Sequence, residues 1–91
     1  MFTAHKSLCP ITGLEMLPSP VPSEDFRGIQ YFIPSISDCL MVSLAENLLS
    51  NQDLRHQMTE QREKFARNLR MISKHRRQII VSSANWWLFL K

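Results

Sequence analysis

Every proline and glycine of this 91-residue chain falls within its first 34 positions, and from Leu54 to Lys91 neither occurs at all. Proline removes a backbone donor, fixes φ and biases its predecessor toward extended geometry. Residues 1–28 hold Pro10, Pro18, Pro20, Pro22, Gly13 and Gly28, so this segment is barred from regular helix and reads as an extended, Pro-rich arm. The remainder is free to form long regular elements.

Hydrophobic spacing divides that remainder. "GIQYFIP", residues 28–34, is a short β-branched and aromatic run bounded by Gly28 and Pro34 and predicts one strand over 29–34. Over 37–50, Leu40, Met41, Leu44, Ala45 and Leu48 recur at helical spacing behind Ser35 or Ser37 as cap, which predicts a buried helix. Ser50 with Asp53 has the capping spacing for a second helix over 53–80, in which Met58, Phe65, Ile72 and Ile79 recur every seven residues. About 25 helical residues would extend about 38 Å, longer than a small domain, so part of this helix is expected to project or pair with another chain. The apolar tail 81–91 contains Trp86, Trp87, Leu88, Phe89 and Leu90. It is expected either to complete the core or to dock into a partner.

The expected fold is therefore mostly α, with a small α+β arrangement as its variant. It is a single domain over 1–91, with an extended arm, one short strand and a two-helix hairpin whose second helix is long, basic and amphipathic, closed by the apolar tail. A composition of 44% apolar and 21% charged residues is that of a globular chain rather than a disordered one. The abrupt ending suggests one module of a longer chain.

Charge is distributed unevenly. Residues 1–53 carry two Lys or Arg against six Asp or Glu, and residues 54–91 carry nine against two. On a helical wheel Lys64, Arg67, Arg70, Lys74 and Arg77 lie opposite the Met58–Phe65–Ile72–Ile79 seam, forming one cationic face. Such a face can match the phosphates of a nucleic acid, or it can be the wet side of an ordinary helix steering an acidic protein. Glu60 and Glu63 have the spacing to pair with Lys64, Arg67 or Arg70, which would blunt it.

"LCPITGLEMLPSPV" resembles the first loop of U-box and RING-type ubiquitin-ligase domains, and also a zinc knuckle of the treble-clef kind. A RING needs further Cys and His pairs, and a U-box a second polar loop where this chain has the apolar stretch around Leu44. The residue-level reading of the same stretch is a Pro and Gly turn around a small buried thiol. Zinc would need four ligands from His5, Cys9, Cys39, His56 and His75, of which only His5 and Cys9 are close in sequence, so no metal or other cofactor is expected. Without a Gly-x-Ser-x-Gly, phosphate-loop or paired-acid motif, no enzyme activity is expected either.

"MFTAHKSLCP" lacks the apolar run of a signal peptide, and the longest uncharged apolar stretch is too short for a bilayer. Reduced thiols and a cytoplasmic setting without membrane partners are expected. These readings converge on a non-enzymatic protein-binding module, a small self-associating regulator or assembly factor. Its binding residues would be Lys64, Arg67, Arg70, Lys74, Arg77, Trp86 and Trp87; the alternative is a nucleic-acid-binding module using the same cationic face.

Overall fold

Residues Ser37–Ala45 form a strand where a helix is predicted, and this one change converts a mostly α chain into an α+β fold with a four-stranded mixed sheet. The structure, a computed structural model, describes residues 7–19 and 25–91. Its elements are β1 (Leu17–Pro18), β2 (Gly28–Ile33), β3 (Ser37–Ala45), α1 (Glu46–Leu49), α2 (Gln52–Glu60), α3 (Arg62–Ile72) and β4 (Gln78–Val81), then a 3-10 helix at Trp86–Leu90. The predicted strand 29–34 is present as β2.

Leu40, Val42 and Leu44 point into the core at every second position. A four-residue interval also fits a helix, so Leu40, Leu44 and Leu48 carry both periods at once. The alternation is blurred further because β3 is an interior strand, with Ser43 on its other side also buried under the side chain of Gln30, whose Nε2 donates to Ser43 Oγ (3.1 Å). Of the expected helix only Glu46–Leu49, α1, is helical.

The predicted helix 53–80 is also corrected. It breaks at Gln61 (φ −111°, ψ 28°) into α2 and α3, and α3 stops at Ile72. Asn51, not Ser50, caps α2, its Oδ1 accepting from the Leu54 N–H (3.2 Å). Gln78–Val81 is β4: Ile79 and Val81 are buried and Gln78 and Ile80 exposed, a period of two carried by β-branched residues. The seven-residue match of Ile79 with Ile72 is a coincidence of spacing. No helix projects.

The sheet order is β1-β2-β3-β4, antiparallel except for the parallel pair β3–β4. Parallel neighbours need a long crossover, which α1 to α3 supply. These helices bury Leu48, Met58, Phe65 and Leu69 against Tyr31, Ile33, Leu40, Val42, Leu44, Ile79 and Val81 on one side of the sheet. The opposite side keeps Leu17 and Ile80 58% and 49% exposed, with Phe32 and Met41 half-buried between them. Gly28, at φ 144°, starts β2 where any Cβ would collide with the Leu44 carbonyl, so only glycine fits there.

The described part of the N-terminal arm folds back as a hairpin rather than running on as an extended arm. Leu8 bridges Glu15, the Cys9 N–H donates to Leu14 O (2.8 Å), and Gly13 turns the chain at φ 74°. Cys9 and Ile11 enter the core. Pro20, Pro22 and His5 lie outside the described residues.

Candidate nucleic-acid interface

Phe65, Ala66 and Leu69 fix the rotation of α3 by burying one face, and at 100° per residue Lys64, Arg67 and Met71 then lie on the opposite side with Arg70 on the flank. After Ile72 the chain folds back in a tight turn: the His75 and Arg76 N–H groups both donate to Ile72 O (2.9 Å each), and Ser73 Oγ donates to Arg70 O (2.6 Å). Lys74, His75, Arg76 and Arg77 are thus four consecutive exposed residues. The far end of the turn is pinned to the sheet where the Met41 N–H donates to Arg77 O (2.9 Å).

The five cations expected on one helical face are all exposed, but on two elements: Lys64, Arg67 and Arg70 on α3, and Lys74 and Arg77 on the α3–β4 turn. Arg76 joins them; the run "KHRR" was its signal in the sequence. The expected pairing of Glu60 and Glu63 with these cations does not occur. Glu60 instead meets His56 (3.3 Å), and none of the six cations forms an ion pair with a carboxylate among the described residues. Part of this placement has a local cause, since Arg70 and Lys74 lie where the negative end of the α3 dipole favours positive charge.

The apolar tail is largely spent on the core. Leu90 is buried, and Phe89 packs edge-on against Phe65, ring centroids 6.4 Å apart. Asn68 of α3 holds the tail by donating from Nδ2 to the carbonyls of Phe89 (2.7 Å) and Lys91 (3.1 Å). Asn85 sets the preceding turn, accepting from the Ser82 N–H (2.7 Å) and donating to Ile80 O (2.9 Å) on β4. Trp86 is half-buried against the core, whereas Trp87 and Leu88 remain 47% and 50% exposed, the two indoles edge-on at 6.1 Å. Neither asparagine stood out in the sequence, because their roles depend on tertiary neighbours.

The Cys9 turn encloses a small buried thiol. Cys9 Sγ accepts from the Thr12 N–H (3.4 Å) and shares a hydrogen bond of 2.9 Å with the Tyr31 hydroxyl, 22 residues away. No cluster of three or more His, Cys, Asp or Glu able to hold a metal exists among the described residues, and Cys39 is exposed and separate. Burial pushes the Tyr31 hydroxyl well above the ordinary tyrosine range, and the adjoining Cys9 raises it further.

The folded state therefore disfavours the phenolate. The stability this represents is intact below the unfolded tyrosine pKa near 10 and is lost above it, by about 1.4 kcal/mol per pH unit from this group. Tyr31 is the only tyrosine in the chain, so phenolate absorbance reports it alone. On an alkaline titration, phenolate is expected to appear only together with loss of the circular dichroism signal. A phenolate transition near pH 10 in a protein that is still folded would contradict the buried Cys9–Tyr31 contact.

No helix of the described residues is long and apolar enough to cross a membrane. Compared with protein-family models, with curated proteins and with solved structures, the chain matches none.

Proposed function

We propose that this chain is a non-enzymatic binding module whose α3 and α3–β4 turn hold the phosphate backbone of a nucleic acid. The observation that supports this reading is the run of six exposed cations, Lys64, Arg67, Arg70, Lys74, Arg76 and Arg77, without a carboxylate partner among the described residues. Cations that no neighbouring carboxylate neutralises leave a positive field for a polyanion. The long helix expected to project or pair with another chain is instead α2, α3 and β4.

The test is fluorescence anisotropy of a labelled oligonucleotide of about 20 nucleotides against ionic strength, beginning at about 20 mM salt. Binding is expected to weaken with a slope of log affinity on log salt of about −3 to −5, reflecting about four to five phosphate contacts. Absence of binding at the lowest salt, or affinity indifferent to salt, would overturn the proposal.

A second reading, protein–protein contact, is supported by the open side of the sheet, where Leu17, Phe32 and Met41 lie in one cross-strand row beside Ile80. It predicts a light-scattering mass above the 10.6 kDa of one chain, and substitution of Leu17 and Ile80 by Ser should restore that monomer mass.

A further inference from the structure

We infer that the nucleic acid held by this surface is single-stranded, with an unpaired base stacking on Trp87; this rests on the nucleic-acid reading above. Trp87 sits in the Trp86–Leu90 turn, which lies along α3 through Phe89 on Phe65 and through the two bonds from Asn68. Asn68 is one turn along α3 from Lys64 and one residue from Arg67, so the turn borders the outer cationic side of the helix. With a rise of about 2 Å per residue in a 3-10 helix, Trp87 stands only about 4 Å along the axis from Phe89.

Its ring is positioned as well as exposed. The edge-on contact with Trp86, itself packed on the core, restricts the Trp87 indole while leaving about half of the residue open to solvent. A restrained aromatic ring costs little entropy on contact. Duplexes keep their bases stacked inside and offer such a ring no partner, whereas a single strand offers both phosphates to the cations and a π-face to the indole.

The two contributions separate experimentally. The full chain is titrated with an oligothymidine of about 12 nucleotides and with a mixed-sequence duplex of equal length, as wild type, Trp87→Ala and Trp87→Phe. The wild type is expected to prefer the single strand, with quenching of tryptophan fluorescence. Trp87→Ala is expected to weaken single-strand binding about 5- to 100-fold without changing its salt slope or the duplex affinity, and Trp87→Phe to recover most of the loss. Equal affinity of the wild type for both nucleic acids, with Trp87→Ala indistinguishable from it, would overturn the stacking proposal and leave the backbone reading standing. Failure to bind either, with binding instead to a polyglutamate peptide, would overturn both.

Discussion

Replacing Arg67, Arg70, Lys74 and Arg77 together by Gln is expected to lower single-strand affinity about 600-fold at 0.1 M salt while leaving the melting temperature nearly unchanged. On a single strand each phosphate contact releases about 0.7 counterion, so against a 1 M reference it contributes about 0.7 decade of affinity at 0.1 M salt, and four contacts contribute about 2.8. The salt slope should flatten accordingly. All four side chains are exposed and have no ion-pair partner among the described residues, so the fold does not depend on them. Exposed substitutions of this kind shift stability by about 0.5 kcal/mol or less, and Gln is nearly as good a helix former as Arg. Anisotropy at several salt concentrations, paired with thermal melts, reads both halves of the expectation. A fall in affinity with an unchanged slope would mean that these side chains do not touch phosphate.

Phe65→Ala is expected to have the opposite signature, a fold loss of about 3–5 kcal/mol. Phe65 is fully buried between α3 and the sheet and is the ring on which Phe89 rests edge-on. Its truncation opens a cavity at the place where the C-terminal turn meets the helix, and the aromatic pair adds about 0.5–1.5 kcal/mol to the loss. For a domain of this size each kcal/mol shifts the melting temperature by about 4–8 °C, so a fall on the order of 20 °C follows. Tryptophan emission should shift to the red before the main transition as the Trp86–Leu90 turn detaches. A loss below about 1 kcal/mol would show that Phe65 does not anchor the tail.

These two variants mark what the sequence made legible. The inward row Phe65, Ala66 and Leu69 and the outward Lys64, Arg67 and Arg70 follow from helical periodicity alone, and they fall where that periodicity places them. The element boundaries do not follow from it. No proline or glycine lies near Gln61, so the break between α2 and α3 has no local signal in the sequence. β3 read as helix because a four-residue interval fits both periods, and an interior strand shields both of its faces. β4 was hidden by the chance heptad spacing of Ile79, although the β-branched run Ile79-Ile80-Val81 was a local signal against helix.

The site was legible in its residues and not in its shape. Five cations were visible as one face, but the turn at Ser73 moves Lys74 and Arg77 off the helix and brings Arg76 in with them. The Glu60 and Glu63 pairings were a matter of rotamer and competition, settled for Glu60 by His56 one turn earlier. The contact between Cys9 and Tyr31 joins two segments that no local pattern links. The resemblance of "CPITG" to a zinc-binding loop thus reports a real turn, stabilised here by a phenol and a backbone N–H.

The measurement that most directly tests the account is a two-dimensional amide and indole NMR titration of the full chain with a short oligothymidine at low salt. Shift changes are predicted to concentrate on Lys64 to Arg77, on the Met41 amide bonded to the Arg77 carbonyl and on the Trp87 indole, with Leu17, Phe32 and Ile80 on the open side of the sheet unmoved. Shifts confined to that open side, or none at saturating oligonucleotide, would contradict the claim that the α3 surface holds nucleic acid.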